Sequence, residues 1–170
     1  GGTLGVVGMG AIGSKVADMG VMLGMNVIGY DPAITVEAAW KLPNKVERKE
    51  SIEDVFKESD YISLHVPAND KTKGLINSDL LKNAKNGLRL INFARDEIVI
   101  SKDIIESLDK KILSKYITDF ADLELISRAK TANDVIILPH IGASTNQAEE
   151  NCSVMAAEQI DDFLNNGNIK

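Results

Sequence analysis

The sequence predicts an α/β fold, a parallel sheet with helices on both faces. Two observations predict it. Short apolar runs alternate with helix-like stretches along all 170 residues, and a glycine-rich turn joins the first apolar run to the first helix. That turn, Gly8-Met9-Gly10-Ala11-Ile12-Gly13, narrows the class to a Rossmann-type doubly wound sheet in a single three-layer domain.

The elements follow in order. Thr3 to Val7 is the first strand, and Ala11 to Leu23, opened by the glycine turn, the first helix. Val27 to Tyr30 is a short apolar run that ends at Asp31, a second strand. Pro32 to Lys49 is less regular, and no element is assigned there. Ser51 ahead of Ile-Glu-Asp reads as a capping box and starts a helix that runs to Glu58. Tyr61 to Leu64 is a strand, Ser78 to Asn83 a helix and Leu88 to Phe93 a strand. Ser101 is expected to cap a helix to Leu108, with Asp103 in its first turn. Strands at Tyr116 to Thr118 and Val135 to Leu138 and a long helix from Thr145 to Asn165 complete the series. No internal repeat, low-complexity tract or linker interrupts it.

Composition excludes several function classes. The net charge is −6 and no basic face is concentrated anywhere, Lys110-Lys111 being too short a run, so a nucleic-acid partner is not expected. A single cysteine, Cys152, excludes an intrachain disulfide framework and suits a reducing compartment; in its apolar helical stretch it reads as a buried structural thiol. No apolar run approaches the roughly 18 residues of a membrane span, so no membrane partner is expected and a cytoplasmic location is. No metal site is expected.

Each glycine of the turn has a distinct physical role. Gly8 permits the tight strand-to-helix turn, Gly10 lets backbone approach a pyrophosphate, and Gly13 lets helix and strand pack closely. The free N–H groups and dipole of the helix starting near Ala11 would meet the phosphates. Asp31 comes 18 residues after Gly13, where an acid that hydrogen-bonds an adenosine ribose is expected. Its charge repels a 2′-phosphate and so favours NAD over NADP.

Ligands of doubly wound sheets lie over the carboxyl ends of the strands. Arg95, Asp119, Glu124 and His140 all follow strands there. Together they could serve hydride transfer: Arg95 as a bidentate clamp on a substrate carboxylate, His140 exchanging the hydroxyl proton, Glu124 orienting its ring. Each also has a plain structural reading. Arg95 can be a surface charge paired with Asp96, Glu124 an exposed acid, and His140 a loop or core residue.

These residues stand in motifs that resemble the cofactor-binding domain of the D-2-hydroxyacid dehydrogenases. The resemblance runs over nearly the whole chain: Leu4 to Gly13, Tyr30-Asp31-Pro32, Asp60 to Pro67, Lys73 to Asn77, Asn92-Phe93-Ala94-Arg95, Thr118-Asp119-Phe120 and Pro139 to Thr145. It implies an NAD-dependent oxidoreductase acting on a 2-hydroxy or 2-keto acid, 3-phosphoglycerate foremost, with lactate, glycerate or hydroxyisocaproate as alternatives. It implies catalytic roles for Arg95, Glu124 and His140, with Asp122 as the alternative acid. Glu124 argues against the formate branch, which carries a glutamine there.

For the cofactor, the resemblance implies Gly8, Gly10, Ala11, Ile12 and Gly13 at the phosphates, and Tyr30, Asp31 and Pro32 at the ribose. Val66, Pro67 and Thr72 would lie along the adenine loop. Phe93, Ala94, Arg95, Asp119, His140, Gly142 and Ala143 would surround the nicotinamide half. His65 aligns with a family histidine that is not the acid–base residue; it is read as structural while counted among the cofactor-lining positions.

Two departures stand out. Asp96 replaces the glycine that usually follows the arginine, and Asp119 to Glu124 lacks the common Val-Phe and Glu-Pro dipeptides. The resemblance further implies a homodimer, and a substrate-binding domain built from residues before and after residues 1–170 and absent from them. On that basis the chain is expected to bind NAD with little turnover. A non-catalytic NAD-sensing module and a domain for another adenosine ligand are the readings from other function classes.

Overall fold

The computed structural model of the chain describes residues 1–35, 39, 42, 44–142 and 144–166, and within the last helix not the side chains of 149, 152, 159 and 161–166. The expectations for Ala143 and for the Cys152 side chain lie outside the described residues. The chain divides into two units, Gly1–Leu138 and Pro139–Lys170, each described by itself.

The first unit is built on seven strands: β1 (Thr3–Val7), β2 (Asn26–Tyr30), β3 (Val46–Arg48), β4 (Tyr61–Leu64), β5 (Leu88–Asn92), β6 (Leu113–Thr118) and β7 (Val135–Ile137). They form one sheet in the order β3-β2-β1-β4-β5-β6-β7, every neighbouring pair parallel. The chain winds outward from β1 to β3, returns to β4 beside β1, and winds outward the other way. The reversal between β1 and β4 opens a crevice at the strands' carboxyl ends.

Helices fill the connections: α1 (Ala11–Met22), α2 (Ile52–Glu58), α3 (Ser78–Leu81), α4 (Ser101–Asp109) and α5 (Leu123–Thr131), with a 3₁₀ turn at Asp96–Ile98. Alternate residues of the central strands enter two separate cores, as the two-residue period of a strand dictates. Leu4, Val6 and Val27 pack with Ala17 of α1; Val7, Ile28, Ile62 and Leu64 pack with Val55 and Phe56 of α2. Helices therefore lie on both faces, the three-layer arrangement expected.

Several local expectations differ from the structure. Two elements went unread, β3 and α5. β3 is an edge strand with two exposed charged residues among its three, a composition that signals an edge more than a strand. α5 is nine residues long and buries only Leu125, with Glu124, Ser127, Arg128 and Lys130 spread among its apolar positions. β6 begins three residues early, at Leu113, which pairs with Leu88; the polar Ser114 and Lys115 interrupt its apolar run. Ser51 caps α2 as expected, accepting from the Asp54 N–H at 3.1 Å. Ser101 does not cap α4: it is the first helical residue, and its hydroxyl donates to the Asp122 carboxylate.

The second unit carries α6 (Asn146–Asn166), which Thr145 opens by accepting from the Ala148 N–H at 3.1 Å.

Candidate functional site

The crevice is shaped first by the glycine turn. Gly8 leaves β1 at φ +92°, its N–H held by the Tyr30 carbonyl at 2.8 Å. A Cβ there would lie 2.6 Å from the His65 carbonyl, so a side chain is excluded both by the backbone angle and by the neighbouring strand. At Gly13 a Cβ would lie 1.8 Å from the Gly8 carbonyl oxygen, which is how closely α1 rides over the turn. Gly10 differs: a Cβ there would meet nothing within 4 Å. Its surroundings are open, as a backbone awaiting a bulky ligand requires.

Gly10 is also the N-cap of α1. It offers no side chain to the first-turn N–H groups, and that turn has no acidic residue. The positive end of the helix is thus left for an anion.

Asp31 closes the adenosine side. One carboxylate oxygen accepts from the Met9 N–H at 2.7 Å and the other from the Ala33 N–H at 2.8 Å. These bonds tie the end of β2 to the glycine turn and fix the carboxylate's direction, while each oxygen keeps a lone pair for a ribose hydroxyl. A cavity of about 230 Å³ adjoins it, lined among others by Met9, Gly29, Ile34, Val46 and Arg48.

The opposite wall follows β4. Val66 is buried and Pro67 exposed. Thr72 donates its hydroxyl to the Pro67 carbonyl, and Asn69 accepts from the Lys71 and Thr72 N–H groups at 2.9 and 3.1 Å, so the loop is internally braced. His65 stands half-buried between β1 and β4 with Nε2 2.8 Å from the Ser63 hydroxyl. Burial holds its imidazole below the ordinary 6.5.

Phe93, Ala94 and Arg95 leave β5 at the same edge, Arg95 exposed with Nη1 donating to the Ala94 carbonyl at 2.6 Å. The next residues pair outward with the loop from β4: the Gly74 N–H donates to Glu97 and the Ile76 N–H to Ile98, at 2.8 and 3.0 Å. Asp119 follows β6 and is half-buried. Asp122 caps α5, accepting from the Leu125 N–H at 2.8 Å as well as from Ser101. Its carboxylate is therefore spent on structure. Glu124 lies in the first turn of α5, exposed, on an open groove shared with Lys102, Ile105 and Ser127.

The first unit thus gathers Gly8 to Gly13, Asp31, His65 to Pro67, Phe93 to Arg95 and Asp119 along one sheet edge. Glu124 lies in the first turn of α5, the helix that follows β6. His140 and Gly142 belong to the second unit, in a turn where Ile141 donates to the Pro139 carbonyl at 3.0 Å. Sequence reasoning missed Asn92, whose buried carboxamide holds the Arg95 backbone; an asparagine ending an apolar run just before an arginine was the available signal.

Residues 1–142 match the family described as D-isomer specific 2-hydroxyacid dehydrogenase, NAD binding domain. The chain belongs to that family. As an NAD-binding domain of D-2-hydroxyacid dehydrogenases, it takes NAD as its cofactor, and the open Gly10, the uncapped α1 and the fixed Asp31 suit the pyrophosphate and ribose. It is similar to D-3-phosphoglycerate dehydrogenase of Synechocystis sp., 36% identical over 164 residues, which is 95% of this chain and 29% of that protein. Among solved structures it is similar to apo D-mandelate dehydrogenase of Rhodotorula graminis, with a TM-score of 0.82 at 29% identity, covering 96% of this chain and 48% of that one. It is also similar to the NAD complex of the D-isomer specific 2-hydroxyacid dehydrogenase of Lactobacillus delbrueckii ssp. bulgaricus, with a TM-score of 0.81 at 26% identity, covering 99% and 55%. The chain spans less than a third of the first relative and about half of each structure. Among the described residues there is no group of His, Cys, Asp or Glu that could hold a metal ion, and no helix long and apolar enough to cross a membrane.

Proposed function

We propose that the chain is the cofactor half of an NAD-dependent dehydrogenase that oxidises a D-2-hydroxy acid, 3-phosphoglycerate to 3-phosphohydroxypyruvate, with the substrate half in a second domain. The observation that carries this reading is the placement of Arg95 on the same sheet edge as the glycine turn and Asp31. A cation beside a dinucleotide cradle is what an anionic substrate of hydride transfer needs. Similarity to 3-phosphoglycerate dehydrogenase supports the choice of hydroxy acid.

The chemistry that NAD supplies when bound is acceptance of a hydride from the substrate's C2. Arg95 holds the substrate carboxylate through its paired N–H groups and polarises the neighbouring oxygen. The motif around His140 assigns it the hydroxyl proton, and the resemblance names Glu124 as the carboxylate of the same catalytic set. Asp31, an anion at the ribose, disfavours a 2′-phosphate. Phe93, Ala94 and Asp119 would hold the nicotinamide half, and Val66, Pro67 and Thr72 the adenine; Gly142, in the second unit, is assigned to the nicotinamide half by its motif alone.

The second domain closes the site from water, so the 170 residues alone bind NAD with little turnover. The protein acts in the cytoplasm and as a homodimer. Met19, Met22 and Leu23, 61 to 85% exposed at the C-terminal end of α1, support that assembly.

Calorimetric titration of the chain with NADH and NADPH tests the reading. Binding of NADH with NADPH at least about tenfold weaker is expected, a difference of about 1.4 kcal/mol. Equal affinities would remove the role given to Asp31. Rapid NADH oxidation with a 2-keto acid by the chain alone would overturn the need for a second domain. No turnover by the full-length protein would favour a non-catalytic NAD sensor.

A further inference from the structure

Asn92 is the last residue of β5 and is fully buried, and all its polar atoms are used around one point. Its Oδ1 accepts from the Ala94 N–H at 3.1 Å. Its Nδ2 donates to the Arg95 carbonyl at 2.9 Å and lies 3.4 Å from the Tyr116 hydroxyl of β6. Its own carbonyl accepts from the Thr118 hydroxyl at 2.8 Å. The carboxamide therefore spans the turn Phe93-Ala94 and clamps it from both ends, while β6 clamps the asparagine.

A buried amide is costly unless satisfied, and a hydrophobic residue of similar volume would pack this interior at no such cost. The position of the four bonds gives the reason for the amide. Two of them hold the loop that carries Arg95, at φ −151° and ψ 145°, just before the chain turns into its 3₁₀ segment, and the other two hold the asparagine to β6. Arg95 is exposed and its guanidinium donates to the Ala94 carbonyl at 2.6 Å, within the same turn, so the backbone of that turn sets where the guanidinium starts.

We infer that Asn92 is a positioning residue: its carboxamide fixes the backbone under Arg95 and so aligns the guanidinium with the carboxylate of the substrate. The inference rests on the reading of Arg95 as the carboxylate-binding group. An aspartate would keep the acceptor for Ala94 but lose the donor to Arg95; a serine is too short to reach both.

The test compares Asn92→Asp, Asn92→Ser and Arg95→Ala in the full-length protein, with phosphohydroxypyruvate and NADH as the probe pair. ADP-ribose affinity is measured in parallel, since its site at Gly8 to Gly13 and Asp31 lies on other strands. For either Asn92 variant the keto-acid KM is expected to rise roughly tenfold or more, in line with the loss of a buried hydrogen bond, with ADP-ribose affinity within about twofold of wild type. An unchanged KM in a folded variant overturns the inference, as does an equal loss of ADP-ribose affinity, which marks general disruption. A raised KM in Arg95→Ala alone leaves the Arg95 reading standing and removes Asn92 from it. An unchanged KM in Arg95→Ala overturns both. Should neither Asn92 variant fold, amide exchange in the wild-type chain decides: the Ala94 N–H is expected to exchange as slowly as the sheet, and fast exchange overturns the clamp.

Discussion

Gly13 shows how little room single residues have at this site. With a prospective Cβ 1.8 Å from the Gly8 carbonyl oxygen, Gly13→Ala must push α1 away from β1. Urea unfolding is expected to report a loss of roughly 1 to 3 kcal/mol, and NADH affinity should fall with it. Burial of His65 gives a second effect at this scale. Its folded pKa lies below the ordinary 6.5, so the folded state resists the proton that the unfolded chain accepts. That stability is complete above about pH 6.5 and is lost as the pH falls from there through the folded value. The urea midpoint should drop over this range in the wild type and drop less in His65→Gln. At the residue scale, glycines and Asp31 were legible because their chemistry is local to the turn. Asn92 was not, because its role appears only when β6 brings Tyr116 and Thr118 beside it. Asp122 and Glu124 could not be separated in sequence either; in the structure Asp122 accepts from the Ser101 hydroxyl and the Leu125 N–H, whereas Glu124 is exposed in the first turn of α5.

Among the elements, α1 and α4 end alike. After α1, Gly24 donates to the Val21 carbonyl and Met25 to Gly20, both at 3.0 Å; after α4, Lys111 donates to Leu108 and Ile112 to Ser107, at 3.1 and 3.0 Å. Both are six-residue caps with a left-handed residue, but the second sets a lysine at φ +60° where the first has glycine. Lys111→Gly is expected to stabilise the chain by about 1 kcal/mol, read as a higher urea midpoint, because the left-handed backbone costs a side chain about that much. Six strands and most helices were legible because buried parallel strands read as unbroken apolar runs. β3 and α5 were not: β3 is a three-residue exposed edge, and α5 a nine-residue helix whose apolar positions are diluted by Glu124, Ser127, Arg128 and Lys130. Asp122 before α5 and Arg128 with Lys130 in its last turn were the capping signals that remained.

For the whole molecule, the exposed end of α1 sets the next expectation. Met19, Met22 and Leu23 give an acidic chain of net charge −6 an apolar patch at the end of α1. Sedimentation of the wild-type chain should show a dimer. Met22→Lys with Leu23→Lys should leave a monomer that still binds NADH, whereas a wild-type monomer would remove the role given to this patch. The parallel sheet also separates the molecule's two edges by purpose. Ligand groups stand where strands end, and the left-handed turns at Gly24, Gly87 and Lys111 lead into β2, β5 and β6 at the other edge. That far edge is therefore a place to attach things: a fluorophore, an affinity tag or a new pair of termini at the turn before β6 would sit a full strand's length from the cofactor, reporting on the domain without touching its chemistry.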